Sequence, residues 1–330
     1  MTNFAEPTMI IQNLRDMHVP NERDDEVKKH LYRLFVVGDD GNPTPEPCRF
    51  TSGRETRGIA VIEEAGGGKT TAIRTVLKEA EFLADDTETG CPRYLEIEVP
   101  SPATLKSVGL AILEKTGMEG VSPNAKEWEI WKVVRQRLGV LGVSVLWLDE
   151  AQDLILARNA NDTENTLRMI KSLMQGKDAV IPILSGTQRL AEVTAMDPQV
   201  SRRFTKIMPL DLQHGIDESN LCHLIESYCS EAGIDTRLDG DLVSRLITGS
   251  RHRFGRAIEM IINAIECAVW DGSKFLTQNH FAEAWAMHEG CEPKNNIFYS
   301  ENWVSIELDK GAEEYEAARI KRQKKKLERV

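Results

Sequence analysis

The sequence predicts an α/β fold with a central parallel β-sheet, followed by an all-helical domain. Residues 143–148 and 179–184 are nearly continuous apolar runs, which are typical of parallel strands covered on both faces. Segments with helical spacing separate these runs, as βαβ crossovers require. Residues 58–75 predict a strand, a glycine-rich loop and a helix, and from residue 214 onward the patterns are helical.

The first elements along the chain are a helix and a loop. Apolar residues recur at helical spacing from Asp24, which predicts an amphipathic helix ending before Gly38. Residues 38–53 are rich in Gly, Pro and Asp, which predicts a loop.

Helices and strands then alternate through the α/β region. Residues 94–99 alternate, with Glu96 and Glu98 on one face, so we expect a strand at the edge of the sheet. The crossover helices are predicted over residues 71–83, 104–115, 125–138 and 163–174, and a short last strand over residues 206–212.

Four further helices are predicted in the second half, over residues 217–232, around Leu242 and Leu246, and over 254–269 and 277–287. The resulting domain prediction is an N-terminal arm over 1–23, an α/β domain over 24–213, a helical lid over 214–290 and a basic C-terminal tail over 291–330.

Composition limits the class of protein. The chain has 330 residues, 41% of them hydrophobic and 28% charged, without an apolar run long enough to cross a membrane. The N-terminus lacks the pattern of a signal peptide, so we expect a cytoplasmic protein without a membrane partner. The six cysteines form no C-x-x-C pair, which favours free thiols over a metal site.

The net charge of −11 argues against a protein whose outer surface is coated with nucleic acid, because phosphate binding needs clustered Lys and Arg. A local basic stripe inside an assembly remains compatible with this charge.

The glycine-rich stretch has the chemistry of a phosphate loop. Backbone N–H groups can close around a phosphate where no Cβ blocks the approach, and a helix N-terminus adds positive potential. Lys69 would reach the β- and γ-phosphates of ATP, and the Thr70 hydroxyl would ligate Mg²⁺. Glu63 stands where the usual pattern has its first glycine. The predicted nucleotide-binding residues are Ala65, Gly66, Gly67, Gly68, Lys69, Thr70 and Thr71.

Two acids follow the apolar strand that ends at Leu148. At the carboxyl end of a central strand, Asp149 can hold Mg²⁺ and Glu150 can orient or deprotonate the attacking water. Paired acids after a strand can also be a solvated turn, but their position about eighty residues after Gly-Lys-Thr favours the catalytic interpretation.

The remaining candidates are one hydroxyl and three arginines. Thr187, which closes the next strand, is a candidate sensor of the γ-phosphate, or alternatively a helix cap. Arg202 and Arg203, before the last strand, and Arg256, in the lid, are candidates for the positive charge that phosphoryl transfer requires. A solvated surface explains Arg202 and Arg203 as well, and the sequence does not identify which arginine reaches a neighbouring subunit.

Together these motifs resemble the AAA+ ATPases of the initiator and helicase-loader type. More narrowly, RETRGIAVIEEAGGGKTTAI, EVPSPATLKSVGLAILEKTG, WLDEAQDL and ILSGTQRL resemble the TniB/TnsC family of transposition ATPases over roughly residues 50–270. The resemblance implies an AAA+ P-loop domain with a helical lid. Glu63 departs from the family's usual phosphate loop.

The resemblance also implies a function. Such a protein would hydrolyse ATP, bind double-stranded DNA without sequence specificity, and oligomerise on it as a ring or filament. It would link a target-selection adaptor of the TniQ type to the transposase, and hydrolysis would reset it. The resemblance directs attention to Thr104, Lys106 and Lys115 as DNA contacts, although Lys106 is also explained as an ordinary exposed lysine.

Two alternatives stay open. One is a P-loop ATPase of the protein-remodelling or secretion type that does not bind DNA. The other is a nucleotide-gated scaffold with negligible hydrolysis.

Overall fold

The computed structural model describes residues 5–118, 120, 122, 124–155, 160–309 and 318. The chain divides into two compact units. We call Pro20–Leu210 the α/β unit, and Met1–Val19 together with Asp211–Val330 the helical unit. The domain boundaries expected from the sequence stay predictions.

The helices of the described residues, numbered along the chain, are α1 Ala5–Asp16, α2 Glu22–Tyr32, α3 Lys69–Glu79, α4 Leu105–Lys115, α5 Glu127–Leu141, α6 Ala151–Ile155, α7 Ala160–Leu173, α8 Gln188–Met196, α9 Pro198–Ser201, α10 Glu218–Ala232, α11 Leu242–Gly249, α12 Phe254–Trp270 and α13 Gln278–Glu289. Short 3₁₀ turns cover Glu81–Leu83, Pro293–Asn295 and Trp303–Ser305. None of the described helices is long and apolar enough to cross a membrane.

The strands in these residues are β1 Phe35–Val37, β2 Pro43–Pro47, β3 Gly58–Ile62, β4 Tyr94–Glu98, β5 Val145–Asp149, β6 Ile181–Gly186, β7 Phe204–Ile207, β8 Asp235–Thr236 and β9 Phe275–Leu276. β3 to β7 form one parallel sheet in the order β4-β5-β6-β3-β7. The predicted central parallel sheet is confirmed, and β4 lies at its edge as its alternating pattern predicted.

Both faces of the sheet are covered by helices, which explains the continuous apolar strands. Leu146 and Leu148 of β5 pack into one core with α4, α5 and α7. Val145 and Trp147, which alternate with them, pack into a second core with α2 and α3. Side chains on both faces of β5 are therefore buried, so neither face of the strand can be a polar, solvent-exposed one.

The N-terminal part of the α/β unit differs from the prediction. The helix ends at Tyr32, and β1 follows where the helix was predicted to continue. β1 pairs antiparallel with β2, which lies inside the predicted loop. β2 has the sequence PTPEP, whose prolines suggested a loop because proline has no backbone N–H for a ladder. A short hairpin outside the main sheet tolerates them. The last strand, β7, also begins and ends earlier than predicted.

The helical unit has a core of its own. α10 to α13 contribute buried residues to it, and so does α1 through Ile11 and Leu14, which lie in the predicted N-terminal arm. Ile297 and Phe298, within the predicted tail, are also buried there. β8 and β9 pair in parallel through two residues each, a contact too short to leave a pattern in the sequence.

A buried ion pair anchors the start of β3. The Arg203 guanidinium donates to the Glu55 carboxylate, and both side chains are almost fully buried. Thr51 Oγ1 also donates to Glu55, at 2.7 Å. The hydrogen bond from Arg203 lowers the pKa of Glu55 below its ordinary value of 4.5. Because the folded-state pKa is the lower one, this pair stabilises the fold above about pH 4.5 and the contribution is lost as the pH falls through the folded-state pKa.

We expect Glu55→Ala to lower the free energy of unfolding by about 3–5 kcal/mol at pH 7, because it leaves a buried guanidinium without its carboxylate. Urea unfolding followed by circular dichroism measures the change.

Arg202→Ala is the matched control. The Arg202 guanidinium lies 3.5 Å from the same carboxylate, but its side chain is 60% exposed, so removing it should cost less than about 1 kcal/mol. Equal losses in the two variants would contradict the ion-pair account.

Candidate nucleotide site

The loop between β3 and α3 is built so that its backbone stays open. Gly66 and Gly68 have φ angles of 80° and 113°, in the left-handed region that favours glycine. A Cβ added at Gly67 would stand 2.0 Å from Cδ of Glu63. Gly66 and Gly68 are therefore required by their backbone conformation, and Gly67 is required by the Glu63 side chain beside it. The Gly67 N–H donates to the Glu64 carbonyl at 3.1 Å.

Lys69 and Thr70 begin α3 and meet the acids at the end of β5. Lys69 is 5% exposed, and its Nζ lies 3.2 Å from Glu150 Oε1. Thr70 Oγ1 donates to Asp149 Oδ2 at 2.8 Å. The two motifs predicted from distant parts of the sequence therefore touch, although β6 separates their strands in the sheet.

Asp149 is fixed by groups on the strand that intervenes. Its Oδ1 accepts from Ser185 Oγ at 2.5 Å and from the Glu150 backbone N–H at 3.0 Å. Ser185 Oγ in turn accepts from Trp147 Nε1 at 2.7 Å. Neither Ser185 nor Trp147 was predicted as a site residue. The signal available for Ser185 was its hydroxyl in an otherwise apolar strand.

Glu150 is held at both carboxylate oxygens. Oε1 faces Lys69 Nζ, and Oε2 accepts from Gln152 Nε2 at 2.5 Å. Its backbone has φ 53°, a left-handed conformation that is uncommon for a residue with a Cβ. The Thr187 backbone N–H reaches the same cluster, since it donates to Gln152 Oε1 at 3.2 Å.

Glu63 lies in the phosphate loop, and its charge is compensated. The residue is 5% exposed, and Arg23 Nε donates to its Oε1 at 3.1 Å. Arg23 Nη2 also donates to the Leu210 carbonyl at 3.0 Å. A buried carboxylate would repel phosphate, so the Arg23 guanidinium makes the loop compatible with an anion. Arg23 lies forty residues upstream on α2, and no motif marks it.

The oxygens of this site suit Mg²⁺. A threonine hydroxyl and a carboxylate already lie within hydrogen-bond distance, and both are hard ligands of the kind that Mg²⁺ prefers. The described residues contain no cluster of three or more metal-binding side chains. Mg²⁺ in nucleotide sites is usually held by one or two protein groups plus substrate phosphates, so Thr70 and Asp149 fit that arrangement.

The structure separates the candidate arginines by burial. Arg203 is buried against Glu55, which makes it a structural residue rather than a group that reaches out to a neighbour. Arg202 is exposed at the same turn. Arg256 lies in the first turn of α12, in the helical unit.

The candidate DNA contacts lie along α4. Thr104 is the N-cap, where its side chain accepts from the Ser107 N–H at 2.9 Å. Lys106 is half-buried in the first turn. Lys115 lies at the other end of α4, about 16 Å from Thr104 along the helix axis. Its Nζ donates to the Glu96 carbonyl at 2.6 Å. The three residues therefore do not form one cluster.

A family model described as "Bacterial TniB protein" matches residues 49–212. This range contains the phosphate loop, both acids and α4. The comparison with curated protein sequences gives no match.

Solved structures with a similar fold include ORC and Cdc6 proteins. The Aeropyrum pernix ORC1 protein in complex with DNA matches with a TM-score of 0.59 and 18% identity, over 84% of this chain and 67% of that one. Cdc6p from Pyrobaculum aerophilum matches with a TM-score of 0.59 and 13% identity, over 82% and 69%. Drosophila ORC bound to DNA matches with a TM-score of 0.55 and 17% identity, over 89% and 68%. The predicted AAA+ P-loop fold is confirmed.

Arg23→Ala should weaken ATP binding by about tenfold or more, because it leaves the Glu63 carboxylate beside the phosphates with less positive charge nearby. Equilibrium titration with a fluorescent ATP analogue measures the dissociation constant. In the Arg23→Ala background, Glu63→Gln should restore much of the affinity, since it removes the negative charge. Unchanged affinity in Arg23→Ala would contradict the proposed compensation.

Proposed function

We propose that this chain is a TniB-type ATPase of the AAA+ class and an ATP-dependent regulator of DNA transposition. It oligomerises as a ring or filament on target duplex DNA without sequence specificity. It links a target-selection adaptor of the TniQ type to the transposase, and ATP hydrolysis resets it. The match of residues 49–212 to the TniB model is the observation on which this proposal depends.

The chemistry follows from the contacts of the phosphate loop. The loop N–H groups and Lys69 bind the β- and γ-phosphates. Thr70 and Asp149 would hold Mg²⁺, and this ion would neutralise phosphate charge. Glu150 orients the attacking water and accepts its proton. Thr187, at the end of the neighbouring strand, senses the γ-phosphate.

The Lys69–Glu150 ion pair suggests how ATP activates the base. Lys69 Nζ lies 3.2 Å from Glu150 Oε1, so the phosphates of ATP compete with this carboxylate for the ammonium group. Binding of ATP draws Lys69 away, and Glu150 Oε1 becomes available to the water. Without nucleotide, the carboxylate is occupied by a cation.

The arginines take separate roles. Arg202 is exposed and supplies positive charge to the γ-phosphate bound by a neighbouring subunit. Arg203 holds Glu55 and supports the turn that presents Arg202. Arg256, in the first turn of α12, stays a candidate for the positive charge that phosphoryl transfer requires.

DNA contacts are assigned to Thr104, Lys106 and Lys115. The exposed N-terminus of α4 offers N–H groups and positive potential to a backbone phosphate, and Lys106 adds a charge in the first turn. ORC1 and ORC, which share the fold, were solved with DNA. A net charge of −11 is compatible with this arrangement, because a few lysines per subunit suffice when many subunits line one duplex.

With ATP or a non-hydrolysable analogue, the protein should assemble on duplex DNA of any sequence, and ADP should not support assembly. Negative-stain electron microscopy and fluorescence anisotropy at several salt concentrations measure this. Lys106→Ala should weaken binding equally on all sequences and reduce the salt slope by about one per contact removed. Lys28→Ala, on the exposed face of α2, is the control and should behave as wild type.

Absence of DNA binding in every nucleotide state would exclude the proposal. It would favour the alternative, a protein-remodelling or secretion-type P-loop ATPase that ignores nucleic acid.

Arg202→Ala and Glu150→Gln should each abolish most of the ATPase activity, and mixing the two proteins should restore part of it. In a mixed oligomer, a subunit with Arg202→Ala keeps its own Glu150 and receives Arg202 from its Glu150→Gln neighbour. Steady-state phosphate release measures the recovery.

Arg256→Ala mixed with Glu150→Gln is the matched control. No active site in that mixture has both groups if Arg256 acts within its own subunit, so no recovery is expected. Failure of the Arg202→Ala mixture to recover would rule out Arg202 as the group acting between subunits. Turnover of Glu150→Gln equal to wild type would remove Glu150 as the base.

A further inference from the structure

Gln152 joins two parts of the site that the chain supplies separately. It lies in the first turn of α6, two residues after Glu150, and is 5% exposed. Its Nε2 donates to Glu150 Oε2 at 2.5 Å, and its Oε1 accepts from the Thr187 backbone N–H at 3.2 Å. One side-chain amide therefore connects the acid at the end of β5 to the residue that follows β6.

The chemistry of the two contacts fixes the orientation of this amide. A carboxylate at neutral pH only accepts hydrogen bonds, and a backbone N–H only donates. The NH₂ group must face Glu150 and the oxygen must face Thr187. A side chain in this place needs a donor and an acceptor at once, which a glutamate or a methionine of similar length does not provide.

Gly186 leaves the space that the amide occupies. A Cβ added at Gly186 would stand 2.1 Å from Gln152 Oε1, whereas Gln152 Cδ and Leu190 Cβ would each be 3.3 Å away. The backbone of Gly186 does not have a positive φ, so glycine is not required there for its conformation. The glycine in the sequence ILSGT is required for the side chain of Gln152.

We propose that Gln152 is a positioning residue for ATP hydrolysis. Its side-chain amide orients the Glu150 carboxylate according to the position of the Thr187 backbone. The inference rests on the proposed role of Glu150 as the base. When Lys69 leaves Glu150 for the phosphates, Gln152 remains as the group that orients the carboxylate. A movement of Thr187 toward a γ-phosphate is transmitted through the amide to Glu150.

Two substitutions of similar volume test the hydrogen bonds apart from the packing. Gln152→Met removes the donor and the acceptor, and Gln152→Glu keeps an acceptor for Thr187 but cannot donate to Glu150 when ionised. Both should lower kcat about ten- to a hundredfold, since a hydrogen bond to a charged group is lost. The KM for ATP and the dissociation constant of the ATP analogue should stay close to wild type for Gln152→Met. Gln188→Met, at an exposed glutamine, is the control.

Gly186→Ala tests the same contact from the other side. The added methyl should displace the amide and lower kcat as much as Gln152→Met does. In a Gln152→Ala background, Gly186→Ala should cause little further loss, because the atom that it would strike is gone.

The outcomes distinguish the inference from the proposed function. If Glu150→Gln abolishes turnover while Gln152→Met keeps wild-type kcat, the positioning role is wrong and the base assignment stands. If Glu150→Gln keeps wild-type turnover, the base assignment and the inference both fall. Additive losses from Gly186→Ala and Gln152→Ala would also overturn the inference, because they would mean that the two residues act independently.

Discussion

The hydrogen bond between Thr70 Oγ1 and Asp149 Oδ2 is the contact on which the rest of the site depends. It joins the phosphate loop after β3 to the acids after β5, and these strands are not neighbours because β6 lies between them. The residues at the carboxyl end of β6 must therefore be small, and some must be polar. Ser185 supplies a hydroxyl to Asp149, and Gly186 leaves room for Gln152 while its carbonyl accepts the Glu63 N–H at 3.0 Å.

Charge compensation follows from bringing these loops together. Glu63, Asp149 and Glu150 are three carboxylates in a partly buried space, and Lys69 and Arg23 are the cations paired with two of them. Phosphates add further negative charge to this space, which requires positive charge from elsewhere. Under our proposal a metal ion at Thr70 and Asp149 and an arginine of the adjacent subunit supply it, so the site is completed by nucleotide and neighbour together.

Sequence patterns predicted the parts of the fold that have strong periodicity. β5 and β6 followed from their continuous apolar runs, β4 followed from alternation with Glu96 and Glu98, and the phosphate loop followed from its glycines. The antiparallel β1–β2 pair could not be predicted, because prolines in β2 obscure its strand character.

The contacts that tune the site were hidden for a different reason. Arg23 and Glu63 are distant along the chain, and Gln152 reaches a backbone N–H, which no sequence pattern displays. Arg202 and Arg203 are adjacent and chemically alike, so only burial separates the arginine that pairs with Glu55 from the exposed one. Local sequence patterns thus predict the helices and strands, whereas the role of each site residue depends on its tertiary contacts.

The most direct measurement is a high-resolution structure of the protein assembled on duplex DNA with a non-hydrolysable ATP analogue and Mg²⁺. We predict that Lys69 Nζ contacts the β- and γ-phosphates and has left Glu150 Oε1, while Gln152 still bridges Glu150 and Thr187. A nucleotide-bound structure in which Lys69 remains paired with Glu150 would contradict the account.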